Sequence, residues 1–434
     1  MNWDSITSRL LSLGEKPLTA RDRGITAALL PLLAGDVPHP LAVRRFRALP
    51  TLSYDPGSPH TGVPAERDFG PHVDQTNYSV VVAEQVVVKW LTPPVPLPHP
   101  APELLAHLVE AGFNDTAPPY AALTLFDKGR ELLVALVTGY LPEARDGWEW
   151  CVDDAEADET AFAADLGRLT ADLHLALSTY PAPSPASSAG HSPGPSAAPS
   201  PAPSPTSSSR PSSVSFPEGG EAGSQGGGLL ARAEEALREA LELTDGDDGR
   251  WLAAHAETLR AGLAPLATPA RGTVTSAATG TAAGAATGTA AGALIRIHGD
   301  LHVGQILRWR DGYAVIDFDG NPTVAGAQPY QPAARDVAQL ATSLEHVAQV
   351  AILRRGVPAG RTTAWAARAR TLLLDAYRGR LAARGRPDLL DESLLRPFEI
   401  EQECRELIYA ARHLPRWRYA PMGVLRTWYP EETP

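Results

Sequence analysis

Two cysteines, Cys151 and Cys404, are all that a chain of 434 residues carries, and they lie far apart in helix-like or buried-looking contexts. That scarcity excludes a disulfide scaffold, reads as a reduced, cytoplasmic protein, and leaves no Cys-x-x-Cys metal site. Long apolar runs are missing too. No stretch approaches the ~18 apolar residues of a membrane span; the longest candidates are residues 80–91, interrupted by Glu84 and Lys89, and residues 132–141. The opening residues 1–13 show no basic start followed by an apolar run, so no secretory signal is expected. Basic residues are in deficit, 38 Lys and Arg against 50 Asp and Glu for a net charge of −12. With no dense basic cluster to offset it, that balance argues against nucleic acid as a partner.

Glycine and proline are in excess, together 78 of 434 residues, against roughly 12 % in typical soluble proteins. The excess concentrates in two low-complexity stretches, residues 181–228 and 269–293, made largely of Pro, Ser, Ala, Gly and Thr. Such sequence offers too little apolar surface to offset the entropy of an ordered backbone. The second stretch repeats a Thr-Gly-Thr-Ala-Ala-Gly-Ala-type unit over residues 279–291, too short and small-sided for a solenoid. Both read as surface insertions, and the remaining ~360 residues suffice for two or three compact units.

Residues 1–69 mix a helical pattern at 25–33 with proline-punctuated segments and read as a small N-terminal cap subdomain. β-Branched runs at 78–83 and 86–91 around the short turn Glu84-Gln85 predict a hairpin, closed by residues 93–100. A helix is expected over 102–110, with Pro102 in its first turn and Glu103 near its positive end. Two further strands follow at 121–126 and 131–137, joined by Asp127, Lys128 and Gly129. From about residue 155 the pattern turns helical: Phe162, Leu166, Leu169, Leu173 and Leu177 share one stripe. Helices are also expected at 229–243 and 251–266.

The chemistry-bearing pattern begins after the second insertion. A short strand at 295–297 leads into His298-Gly299-Asp300-Leu301-His302-Val303-Gly304-Gln305. A polar turn at 308–312 precedes a strand at 313–316 ending in Asp317-Phe318-Asp319-Gly320. Asp300 and Asp317 thus flank a hairpin where they can converge. Such a pair suits phosphoryl transfer, one carboxylate accepting the proton of an attacking hydroxyl while the other, with an amide five residues after the first, holds magnesium against the phosphates. Gln305 supplies that amide. A zinc site from His298, His302 and Asp300 is a rival that leaves Gln305 and Asp317 without a role.

The string His-Gly-Asp-x-His-x-x-Gln followed by Ile-Asp-Phe-Asp-Gly resembles the catalytic and metal loops of the aminoglycoside phosphotransferase-like branch of the protein-kinase fold. Within that branch, Gln305 in place of the usual Asn and the Asp-Phe-acid-Gly sequence resemble bacterial maltokinases and glucosamine kinases. The resemblance covers about residue 78 to the C-terminus apart from the insertions. It implies an α+β, bilobal kinase-like fold with ATP and Mg²⁺ as cofactors: cap 1–69, antiparallel-sheet N-lobe 70–140 and helical C-lobe 141–434. Asp300 would be the catalytic base, Gln305 and Asp317 the metal ligands, and His298 a brace for the loop. Lys89 would meet the nucleotide phosphates with Glu103 as its partner. Backbone groups around Val137 and Gly139, in a hinge at 136–141, would meet the adenine edge. One departure is that no Gly-x-Gly-x-x-Gly precedes the hairpin, and residues 75–79 hold no glycine.

A helix is expected over about 398–413, with Cys404, Leu407, Ile408 and Ala411 as its apolar stripe. Gln402, Glu406, Tyr409 and His413 recur at helical intervals and share a face. That face is either solvated or a hydrogen-bonding wall for a sugar, followed by the aromatic Trp417 and Tyr419. The segment Gln-Glu-Cys-Arg-Glu-Leu-Ile-Tyr through Leu-Pro-Arg-Trp-Arg-Tyr resembles the C-terminal signature of actinobacterial glucosamine kinases. On that resemblance the acceptor is the 6-hydroxyl of glucosamine, whose ammonium the Glu406 carboxylate would hold, while His302 and Trp417 close the pocket. The partner is a small-molecule sugar, with no membrane, and the chain is expected to be monomeric. Maltokinase or aminoglycoside kinase activity, and a nucleotide-binding module without transfer, are the alternatives. Arg335 and Asp336 are expected to form a structural ion pair.

Overall fold

Strand-forming alternation fills the first third of the chain and helical stripes fill the rest, and the computed structural model shows two lobes divided accordingly. It describes residues 3–13, 16, 18, 22, 24–52, 66–69, 78–181, 225–267, 293–321 and 328–430. The two low-complexity stretches lie outside these residues except at 181, 225–228 and 293. The first lobe contains α1 (Trp3–Leu11), α2 (Ile25–Leu32), β1 (Leu41–Arg45), β2 (Glu66–Asp68), β3 (Tyr78–Val82), β4 (Val86–Pro96), α3 (Pro100–Glu110), β5 (Pro119–Asp127) and β6 (Arg130–Gly139). The second contains α4 (Gly147–Ala157), α5 (Ala161–Leu177), α6 (Gln225–Leu243), α7 (Gly246–Leu263), β7 (Leu294–Arg296), β8 (Ile306–Trp309), β9 (Gly312–Val315), β10 (Tyr330–Pro332), α8 (Ala334–Arg355), α9 (Ala359–Ala383), α10 (Leu395–Arg412) and α11 (Tyr419–Trp428). This is the bilobal α+β architecture expected from the sequence.

The N-terminal sheet is antiparallel with strand order β1-β5-β6-β4-β3-β2. Its outer strands β1 and β2 come from residues 1–69, and α1 and α2 of the same segment pack over one face of the sheet. Alternation along β4 separates two faces. Val86, Val88 and Trp90 share a core with Ile6 and Leu10 of α1 and Leu29 of α2, and the Trp90 indole donates to Thr26 Oγ1 at 3.1 Å. Lys89, between them, points to the other face. The three-residue β3–β4 turn, residues 83–85, puts Ala83 and Glu84 at φ 54° and 52°, the left-handed backbone that tight hairpin turns use. β4 runs past Leu91 to Pro96, with pairing interrupted between Trp90 and Val95; an irregularity is where a strand tolerates proline.

In the second lobe, α8 is the pillar, buried along most of its length and packed against α9, α10, α4 and α11. Asp300 and Asp317 flank a hairpin, as expected. β7 pairs with β10, whereas the hairpin between the two acidic loops is β8–β9. α4 fixes that hairpin: the Trp150 indole donates to the Ile306 carbonyl at 3.1 Å, and Arg308 lies 4.4 Å over the Trp150 ring while pairing with Asp154. Cys151 and Cys404 are both free and buried. Among the described residues no helix is long and apolar enough to cross a membrane.

The approach of α4 to the catalytic segment depends on Gly147. A Cβ there would sit 1.6 Å from the Val303 carbonyl oxygen, a backbone clash that no rotamer relieves. Gly147→Ala is therefore expected to destabilise the protein by about 2 kcal/mol or more and to lower activity with it; an unchanged urea midpoint would contradict this close packing.

Candidate active site

The segment after β7 folds back because Gly299 takes φ 88° and because one carboxylate gathers its backbone. Asp336, in the first turn of α8 and fully buried, accepts from the His298 N–H at 2.8 Å and the Gly299 N–H at 2.9 Å. Its Oδ2 also lies 3.1 Å from His174 Nε2, whose Nδ1 meets the Tyr377 hydroxyl at 2.7 Å. Burial works against ionisation of Asp336, but the bonds from His174 and the loop amides hold it below the usual carboxylate range. Arg335 is not its partner. That guanidinium pairs instead with buried Glu401 at 2.9 Å and lies over Phe398, because successive helical residues point about 100° apart.

His298 braces the two acidic loops. Its Nε2 lies 3.0 Å from the Ile316 carbonyl and its Nδ1 accepts from the Asp300 N–H at 3.3 Å, while its ring meets Phe318 at 5.0 Å. With both nitrogens bound to backbone, it has no lone pair left for zinc. Asp300 is thereby presented at the cleft. Its Oδ1 accepts from Asn321 Nδ2 at 2.9 Å and Gln339 Nε2 at 2.8 Å, and its Oδ2 lies 4.0 Å from His302 Nε2. Burial raises the Asp300 carboxyl above its ordinary range, against the pull of His302 and of the Gln339 bond.

The second acidic loop carries two carboxylates. Asp317, at φ 63°, and Asp319 both bind Lys89, with Nζ at 2.7 Å from Asp317 Oδ1 and 2.6 Å from Asp319 Oδ2. A non-glycine residue held in the left-handed region is strained, a state that persists where surroundings over-determine it. Burial raises Asp319, while for Asp317 the Lys89 ammonium outweighs burial and lowers it. The lysine is itself raised, because the two acids outweigh its burial. His99, the N-cap of α3, faces the same cluster and is pushed down by burial.

Glu103 does not join this cluster. It is exposed on the first turn of α3 and pairs with Arg44 of β1. Val137 lies inside the sheet, registered with Val88 on one side and Ala121 on the other. The Gly139 N–H goes to the Pro118 carbonyl at 2.7 Å and the Tyr140 N–H to the Gln85 carbonyl at 2.9 Å. The sheet thus extends through the expected hinge, and the chain leaves it only at Leu141.

A third wall comes from α10 and the turn after it. Glu406 Oε1 accepts from Gln402 Nε2 at 3.0 Å and its Oε2 from the Trp417 indole at 2.7 Å. Trp148 joins this wall to the catalytic segment, meeting Trp417 at 5.6 Å and His302 at 5.9 Å. His302 also accepts from the Gly304 N–H at 3.1 Å. Gln402, Glu406 and Trp417 therefore meet directly, and His302 reaches them through Trp148. Tyr409 does not: it is exposed and packs against His413. Ala411 is exposed as well, the buried face running through Cys404, Leu407 and Ala410.

Oxygen donors at Asp317, Asp319 and Gln305 suit a hard cation such as magnesium, which takes few protein ligands and completes its shell with phosphates and water. Among the described residues no three His, Cys, Asp or Glu side chains form a self-sufficient metal set. Sequence reasoning missed Asp319, Gln339, Asn321, His99 and Trp148. Asp319 stood in the quoted string, and Gln339 follows Asp336 by three residues on one helical face; the others carry no local signal.

No protein-family model matches the chain. The glucosamine kinase of Streptacidiphilus jiangxiensis is 36% identical over 386 residues, 85% of this chain and 75% of that protein. The glucosamine kinase of Mycolicibacterium smegmatis is 34% identical over 366 residues, 81% of this chain and 77% of that protein. A solved glucosamine kinase structure, crystal form A, matches with a TM-score of 0.67 at 32% identity, covering 94% of this chain and 83% of that one. A glucosamine kinase in complex with glucosamine, ADP and inorganic phosphate matches with a TM-score of 0.65 at 31% identity, covering 94% and 84%.

The placement of Lys89 and Glu103 separates their roles. Lys89→Met should weaken nucleotide binding by tenfold or more, a loss of about 1.4 kcal/mol, whereas Glu103→Gln should leave it within about twofold. Equal losses in nucleotide titrations of the two variants would mean that Glu103 acts on the phosphate site after all.

Proposed function

The chain belongs to the glucosamine kinase family, and from that premise we propose that it transfers the γ-phosphoryl group of ATP to the 6-hydroxyl of glucosamine. The observation that carries this reading is the joining of two halves in one cleft: Asp300 on one side and the Gln402–Glu406–Trp417 wall on the other, linked through His302 and Trp148. Glu406 is close enough to bear electrostatically on the Asp300 carboxyl.

In this reading two amides hold Asp300 Oδ1 and leave Oδ2 to accept the proton of the sugar hydroxyl. Its upward shift makes it a stronger base than an exposed aspartate, as general-base work near neutrality favours. Glu406 offers a carboxylate to the glucosamine ammonium, a charge-assisted contact that glucose lacks. Trp417 and Trp148 supply apolar planes for the ring face. Lys89 exchanges its acidic partners for nucleotide phosphates, and backbone from Leu141 onward meets the adenine. Asp317, Asp319 and Gln305 would hold Mg²⁺, which when bound neutralises charge on the transferring phosphoryl group. One chain carries every group this reading uses, which supports a monomeric working unit, and reduced buried cysteines and ATP use fit a cytoplasmic location.

The test is a panel of glucosamine, glucose, maltose and an aminoglycoside with ATP, scored by ADP release, with the phosphorylated position read by phosphorus NMR. Glucosamine should be preferred and carry phosphate at C6; a 1-phosphate of maltose would assign the alternative activity. Asp300→Asn should retain nucleotide binding and lose roughly 10²–10⁴-fold in turnover, and an undiminished rate would remove Asp300 from the mechanism. Glu406→Gln should raise the glucosamine KM well beyond any change for glucose.

A further inference from the structure

Behind the sugar wall, α8 and α10 bury a pair that no step above uses. His346 is 3% exposed and its Nε2 lies 3.0 Å from Oε2 of fully buried Glu403. The other oxygen, Glu403 Oε1, is buried without a hydrogen-bond partner among the described residues. Buried ion pairs contribute little net stability compared with apolar packing of the same volume, so an incompletely satisfied one calls for another role.

The imidazole ring meets Trp417 edge-on at 5.6 Å and 69°, and the Trp417 indole N–H holds Glu406. Trp417 sits on the short turn Pro415–Trp417, which contains no buried residue, so its orientation has to come from outside contacts. Three acids face His346: Glu403 and Glu406 from α10 and Glu345 from its own helix. Burial alone would lower the imidazole, but Glu403, with Glu406 and Glu345 behind it, carries it up to about 9. Burial in turn raises the Glu403 carboxyl, to about 7, against the pull of His346.

We propose that the His346–Glu403 pair is a positioning device for amino-sugar selectivity: it fixes the Trp417 plane and so aims the Glu406 carboxylate at the substrate ammonium. This rests on the glucosamine reading above. His346 touches no reacting atom and is a positioning residue.

The experiment is a double-mutant cycle in full-length enzyme, with KM and kcat measured for glucosamine and glucose at saturating ATP. His346→Gln should raise the glucosamine KM about tenfold, the loss of ~1.4 kcal/mol of binding, and leave kcat and the glucose KM within about twofold. In a Glu406→Gln background the same substitution should add nothing to the glucosamine KM. A purely structural role predicts equal losses on both sugars, or full additivity in that background, and either result overturns the proposal. Should His346→Gln prove unstable by thermal melting, the volume-conserving pair His346→Phe with Glu403→Met avoids an unpaired buried charge. It should fold and show the same selective rise, and a folded pair with the parent glucosamine KM also overturns the proposal. Failure of the underlying reading would look different: the unsubstituted enzyme would not prefer glucosamine to glucose.

Discussion

The Asp336 carboxylate is the constraint on which the active site depends. Buried at the start of α8, it takes two backbone N–H groups of the catalytic segment and the ring of His174, and through that ring it reaches Tyr377 on α9. A charge in such a place is tolerable only when nearly all its lone pairs are met. Three elements, β7, α5 and α9, are therefore obliged to keep their positions relative to α8. The geometry of Asp300 follows from this, because its amide answers to His298 and its side chain to Gln339, one turn further along the same helix.

The same device recurs along α10. Glu399, Glu401 and Glu403 are all fully buried, an arrangement that apolar periodicity cannot anticipate. Glu399 meets Arg370 and Arg396, Glu401 meets Arg335 and Arg405, and Glu403 meets His346. Each carboxylate has a cation reaching it from α8 or α9. Glu345, near Glu399 and held by the Trp428 indole, is pushed up to about 7, first by its burial. Paired charge registers α10 against its neighbours more specifically than leucine packing would, since a slip of one turn would leave several ions unmatched. The wall of Gln402, Glu406 and Trp417 stands on that register, and Gln402 and Glu406 inherit the precision of the inner carboxylates.

What was legible in the sequence follows from how local each signal is. The β3–β4 hairpin is written in two valine runs around a short polar turn, and the acidic loops in a string whose spacing admits few geometries. Gln402, Glu406 and Trp417 were legible because one helix and the turn after it present them together. Glu103 was misjudged because α3 begins at Pro100 and turns that residue outward, where Arg44 of an added edge strand meets it. Val137 was misjudged because β6 continues to Gly139 under the close approach of Pro118. Arg335, adjacent to Asp336, looked like its partner, yet the two point to different helices. Tyr409 shares a helical face with Glu406 on paper, but only Glu406 is met by Trp417, while Tyr409 stays exposed against His413. For Glu103, Val137 and Arg335 a tertiary neighbour distant in sequence made the choice.

The cleft is also balanced before any ligand arrives. Lys89 is held between Asp317 and Asp319, so its ammonium has met carboxylates where phosphates would later lie. A polyanion entering alone would confront two carboxylates bearing opposite shifts, Asp317 lowered and Asp319 raised. Their mutual repulsion is what makes a doubly charged cation a better companion there than a single ammonium. In the proposed reading, Asp317 and Asp319 would hold Mg²⁺ and Lys89 would turn to the phosphates.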